Sequence, residues 1–173
     1  MKLALGFAAL SLLSLSVFGV GCSSSEDSAA ASGPVAAKPL AGSIEGKTFS
    51  AKTALAHKSG FSSDADDGKR SIDIYEDEVS CDDFGHKSDR SILFSVPWKA
   101  GTQRDFKLDF SSEGQTATFV IQRDGKTDNI ISTQGRVEII EAPTEKGSKG
   151  KIRIRATAQS NSVEGEIAVT MCD

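Results

Sequence analysis

An all-β domain, an antiparallel β-sandwich of about eight strands, is predicted for residues 44–173 by three observations. Apolar side chains there recur at every second position, helical spacing is scarce, and turn-forming pairs separate the apolar runs. Alternation at period two turns one face of each strand to the core and the other to water.

Taken in order, Thr48 to His57 is the first strand, although Ala51 to Lys58 would also suit one or two helical turns, being rich in Ala, Lys and Leu. Ile72 and Ile74 alternate with Ser71, Asp73 and Tyr75 in the second strand. Ile92, Phe94 and Val96 alternate with Ser91, Leu93 and Ser95 in the third, and Phe106, Leu108 and Phe110 with Lys107 and Asp109 in the fourth. Thr116 to Gln122, Gln134 to Glu141, Lys151 to Ala158 and Val163 to Cys172 complete the set. Asp67-Gly68, Glu113-Gly114, Asp124-Gly125 and Lys146-Gly147 supply residues that tolerate positive φ between these runs. Short connections favour antiparallel neighbours. The alternative architecture is a closed, lipocalin-like barrel of similar strand number.

The amino terminus is built differently. Met1-Lys2 precedes an uncharged Leu- and Ala-rich run, Leu3 to Val20, which ends in Gly21-Cys22 and then Ser23-Ser24-Ser25-Glu26-Asp27. A charged start, an apolar middle and a small-residue end make an export signal. With a cysteine at the border of apolar and polar sequence, residues 1–21 resemble a bacterial lipoprotein signal peptide. The resemblance implies cleavage before Cys22, a diacylglycerol thioether on its sulfur, a palmitate-type acyl group on its amino group, and attachment to the bacterial cell envelope. Ser23, rather than Asp, resembles the arrangement sent on to the outer membrane. An uncleaved membrane helix and simple secretion are the alternatives, and Ser11, Ser14 and Ser16 dilute the run against the first of these. Residues 22–43, rich in Ser, Ala, Gly and Pro, read as a disordered tether that would hold the domain on the order of 25 Å from the lipid.

With Cys22 acylated, Cys81 and Cys172 are the remaining thiols, and export to an oxidising compartment predicts a disulfide between them. Two buried free thiols are the alternative. The chain-entropy picture values closure of so long a loop at about 4–5 kcal/mol.

The formal net charge of -4 argues against nucleic acid as a partner, which requires concentrated Lys and Arg. Acidic residues cluster between Phe61 and Arg90. Asp64, Asp66, Asp67, Glu76, Asp77, Glu78, Asp82 and Asp83 offer the oxygen ligands a hard cation such as calcium would take, although their spacing is not that of an EF-hand. The competing reading is a solvated acidic loop. Cys81 and His86 are too few soft ligands for a structural zinc site. Lys149, Lys151, Arg153 and Arg155 alternate with small and apolar residues and project four cations from one strand face. That face would either discourage edge pairing or meet an anionic glycan or an envelope protein. Trp98, after Val96-Pro97, reads as a core residue.

Neither His57 nor His86 lies in a motif that activates a Ser or Cys nucleophile, and phosphate-loop, GxSxG and HExxH signatures do not occur. The domain loosely resembles small β-rich lipoprotein domains of uncharacterised function through Gly46-Lys47-Thr48-Phe49, a cysteine after the second strand, and Val163-Glu164-Gly165-Glu166-Ile167 leading into Met171-Cys172. The expected protein is thus a lipid-anchored, non-catalytic envelope module without a required cofactor. A ligand-carrying barrel and a calcium- or zinc-dependent hydrolase using the acidic loop are the alternatives.

Overall fold

The structure, a computed structural model, describes residues 33–58, 68–83, 86–108 and 115–173. These residues are all-β, with strands β1 (Ala41–Ile44), β2 (Lys47–Ser50), β3 (Thr53–Lys58), β4 (Lys69–Tyr75), β5 (Arg90–Pro97) and β6 (Gln103–Asp105) in the first part. The second part holds β7 (Ala117–Arg123), β8 (Lys126–Ser132), β9 (Gln134–Glu141), β10 (Lys149–Ala158) and β11 (Asn161–Met171). One sheet runs β6-β9-β10-β11-β3-β4-β5-β7-β8 and curls into an open half-barrel, and the β1–β2 hairpin branches from β11.

The curl reconciles the two architectures read from the sequence. Ile72, Ile74, Ile92, Phe94 and Phe119 of β4, β5 and β7 share one core with Val137, Ile139, Ile152, Ile154 and Val169 of β9, β10 and β11, as two layers of a sandwich would. The hydrogen-bonded ladder nevertheless continues from one side to the other, as in a barrel. Right-handed strand twist accumulated over many strands produces such a curl, and the concave side then buries the apolar face of every strand. Where the chain passes from β8 into β9, the Ser132 hydroxyl donates to Thr157 O at 2.8 Å and accepts from Thr157 N at 3.2 Å, which ties one end of β8 to β10.

Several local expectations change. Thr48 to His57 forms two strands, β2 and β3, with a break at Ala51-Lys52, and none of it is helical. The fourth predicted strand lies earlier, at β6; Phe106 is buried behind it, Lys107 bridges to Gln115, and residues 109 and 110 are outside the described residues. Strand β8 has no alternating apolar pattern because it is an edge: Lys126 to Asn129 are exposed and only Ile130 packs on the core. The sheet is mixed, since β3 and β11 run parallel, with Thr170 opposite Leu55 and Met171 opposite Ala56. They are joined by most of the domain, so the short-connection rule places no constraint on their direction. At Asp124-Gly125 the φ values of 49° and 74° give the expected tight hairpin.

The folded part also begins before the Ile44 boundary that composition suggested. Val35 and Leu40 are buried, and Leu40 N donates to Glu166 O at 3.0 Å while Glu166 N donates to Lys38 O at 2.6 Å. Composition missed this because two well-placed apolar side chains suffice to dock a Pro- and Ala-rich segment. The docking depends on Gly165, whose φ is +150° and where a Cβ would lie 2.6 Å from Leu40 Cα, Lys38 O and Pro39 O.

Substituting Gly165→Ala is therefore expected to displace residues 36–40, destabilise the domain by roughly 2–3 kcal/mol and expose the segment upstream of β1 to protease. Chemical denaturation and limited proteolysis of the variant check this, and an unchanged midpoint with an intact amino-terminal segment would refute it.

Candidate functional site

The outward face of β3, β4 and β5 carries an ordered grid of side chains. Across the ladder, Thr53, Leu55 and His57 of β3 stand opposite Tyr75, Asp73 and Ser71 of β4, which in turn stand opposite Ser91, Leu93 and Ser95 of β5. Asp73 thus occupies the centre, with a leucine beside it on each neighbouring strand. Strand alternation sends these residues outward because Ala54, Ala56, Ile72, Ile74, Ile92 and Phe94 occupy the concave core.

Residues 76–83 and 86–88 lie over one side of this grid. Cys81 and Cys172 are joined with their Sγ atoms 2.03 Å and their Cα atoms 5.2 Å apart, so the loop is fastened to the end of β11. Leu55, Tyr75 and Cys172, with Val79 and Cys81 packed on them, form a second small apolar cluster on this outer face. Val79 N donates to Thr53 Oγ1 at 3.2 Å, and Arg90 Nε donates to Glu76 Oε1 at 2.9 Å. Between loop and grid lies a cleft of about 410 Å³, lined among others by His57, Asp73, Tyr75, His86, Leu93 and Val120. Its volume falls within the range typical of small-molecule sites.

Both histidines of the chain reach this cleft, each beside a carboxylate. His57 Nε2 lies 4.0 Å from Asp73 Oδ2, and His86 Nε2 lies 3.5 Å from Asp77 Oδ2. The His86 ring also meets the Tyr75 ring edge-on, with centroids 5.8 Å apart. Burial holds the Asp73 carboxyl above the usual carboxylate range, a rise that His57 partly offsets. Burial, reinforced by the nearby Asp73 charge, pushes the Tyr75 phenol up to about 12. Asp77 is held below the ordinary range, chiefly because Ser88 Oγ donates to it at 2.6 Å and secondarily through His86. Asp83 is likewise lowered by the Ser80 hydroxyl and amide, at 2.7 and 3.1 Å.

Three carboxylates of the acidic loop have partners within the protein. Glu76 is engaged by Arg90, Asp77 by Ser88 and His86, and Asp83 by Ser80, whereas Glu78 and Asp82 are exposed. Among the described residues no group of three or more His, Cys, Asp or Glu side chains converges as metal ligands would. Asp64, Asp66 and Asp67 lie outside the described residues, as does Cys22.

The cationic strand face is also engaged. Arg153 Nε donates to Glu166 at 2.9 Å, Arg155 Nη2 to Glu164 at 2.6 Å, and Lys151 Nζ is 3.4 Å from Glu166. Register explains it, since Arg155 stands opposite Glu164 and Arg153 opposite both Glu166 and Glu138. Arg155 further donates to Gly33 O at 3.2 Å and Pro34 O at 2.8 Å, holding the amino-terminal segment against the sheet. Trp98 is buried as expected, and its Nε1 donates to Pro143 O at 2.7 Å.

Sequence reading passed over the grid. His57, Asp73 and Tyr75 carried the signal of an outward strand face, but their assembly requires the strand register and the loop above them.

Two titrations test this geometry. Tyr75 is the single tyrosine, so ultraviolet absorbance of tyrosinate is expected to rise with a midpoint about two units above a free phenol, and Asp73→Asn is expected to lower that midpoint. An ordinary midpoint near 10 would remove the argument for burial. Asp77 has a folded pKa below its ordinary 3.8, so its stabilisation of the loop is complete above that value and is lost as pH falls through the folded pKa. Protection of the amides of residues 76–83 and 86–88 against hydrogen exchange, relative to the intrinsic rate at each pH, is expected to fall in that acid window in the wild type and to be low already at neutral pH in Asp77→Asn. No protein family, curated protein or solved structure matches the chain.

Proposed function

We propose that this chain is a lipid-anchored bacterial envelope protein, carried on Cys22 and directed to the outer membrane, that acts as a non-catalytic binding module through the cleft over β3, β4 and β5. The observation that carries the binding reading is the cleft's construction: a rigid sheet for a floor and a loop fastened by a disulfide for a wall. Binding sites with both surfaces fixed in advance lose little conformational entropy when filled.

The envelope reading rests on the amino-terminal signal and is supported by the disulfide, which persists in oxidising compartments. The concave interior is less suited to a ligand, because Phe49, Phe119, Ile72, Ile154 and Met171 fill it and are fully buried. A glycan or protein partner on the β10 face would have to displace the carboxylates that already hold Lys151, Arg153 and Arg155. The cleft is therefore where a ligand is to be sought.

Intact mass of the protein extracted from its native membrane tests the anchor. The expected mass is that of the chain from Cys22 plus acyl groups, lighter before reduction by the two hydrogens absent from Cys81 and Cys172. Cys22→Ser is expected to release the protein from the membrane. An unacylated wild-type chain, or a Cys22→Ser chain that stays in the membrane fraction, would overturn this part of the proposal.

A further inference from the structure

The chemistry at the centre of the cleft floor narrows the class of ligand. Asp73 has Leu55 beside it on β3 and Leu93 beside it on β5, and 26% of its side chain is exposed toward the cleft. On its own strand the same face carries Ser71 and Tyr75, and from β3 the imidazole of His57 faces it at 4.0 Å. The loop contributes Asp83, His86 and Lys87 to the lining, and Lys58 stands at the end of β3. Lys58, Asp83 and Lys87 are exposed, so water screens their charges, whereas Asp73 is set among apolar neighbours. Leu93 is itself one of the exposed large apolar side chains, at 38%, and Val120 on β7 extends the same apolar surface.

A carboxylate flanked by leucines in a cleft with further apolar surface at Val120 is complementary to a cationic group attached to an apolar body. We propose that the cleft binds a small amphipathic amine, an alkyl- or aralkylammonium whose ammonium group pairs with Asp73 and whose apolar part lies over Leu93 and Val120. This rests on the reading of the cleft as a binding site and adds the chemical class of the ligand. The ammonium would give Asp73 a charge-assisted hydrogen bond in place of distant or diffuse compensation. Acidification weakens the interaction because it protonates Asp73 and so removes the charge that the ammonium would pair with.

The test uses the full chain in detergent, observed by amide NMR and titrated separately with phenethylamine, phenethyl alcohol and hydrocinnamate. These share an apolar body and differ in charge. Phenethylamine is expected to shift the amides of Leu55, Asp73, Tyr75 and Leu93 saturably and to bind about tenfold or more tightly than the alcohol, as a charge-assisted bond predicts. Asp73→Asn is expected to abolish that preference, while Asp82→Asn, at an exposed carboxylate outside the lining, is expected to leave it within about twofold, the range of a screened surface charge. Leu93→Ala, at an exposed position that leaves the fold intact, is expected to weaken amine and alcohol alike.

Other outcomes separate the two levels of inference. Equal binding of amine and alcohol, or strongest binding of hydrocinnamate, would keep the cleft as a site and overturn the amine class. An amine preference that survives Asp73→Asn would overturn the assignment of Asp73. Failure of all three probes to shift cleft amides would overturn the ligand class and the cleft reading together.

Discussion

Strand β11 organises this molecule because its two edges are used differently. Strand β10 pairs with it from Lys149–Thr170 to Ala158–Asn161, while the opposite edge is divided between β1, at Ser162 to Glu164, and β3, at Thr170 and Met171. Backbone donors and acceptors in a buried strand have to be paired, and no single neighbour does so along the second edge. The division makes the sheet fork. One branch carries the β1–β2 hairpin and, through Gly165, the docked amino-terminal segment, and the other carries the β3–β4–β5 surface with its cleft. Cys172 follows directly from β11, so the same strand also holds the loop that walls the cleft.

Charge follows the same plan. On the outward face of β10 and β11, Arg153 and Arg155 stand opposite Glu166 and Glu164, and Arg155 and Glu164 both reach the amino-terminal segment: Arg155 donates to Gly33 O and Pro34 O, and Ala36 N donates to Glu164 Oε1 at 3.2 Å. Exposed pairs of this kind contribute little individually to stability. Their value here is positional, because they fix where the amino-terminal segment joins the domain. The β3–β4–β5 face is the contrast. There the central carboxylate has leucines on both flanks, and the nearest imidazole stands at 4.0 Å.

Both faces lie outside a core that is itself conventional, in which Ile, Val and Phe fill the concave side. That division leaves the convex surface outside the packing constraints of the core. Loops and outward strand faces can vary without cost to packing, whereas a ligand site inside a narrow half-barrel would have to replace core side chains.

The all-β class, most strand positions, the turn at Asp124-Gly125, the burial of Trp98 and the pairing of Cys81 with Cys172 were predictable from sequence and are found in the structure, because alternation, turn residues and cysteine count are local or combinatorial signals. Sequence could not disclose β8, whose residues are polar because they form an edge, or the docking of Val35 and Leu40, which depends on two side chains and one glycine far along the chain. The four cations of β10 read as a free face until register set carboxylates beside three of them. In the same way His57, the pair Asp73 and Tyr75, and His86 lie on three separate segments of the sequence. Only tertiary structure made them one site, because strand register places residues side by side on neighbouring strands, and a disulfide spanning 91 positions brings the loop over them.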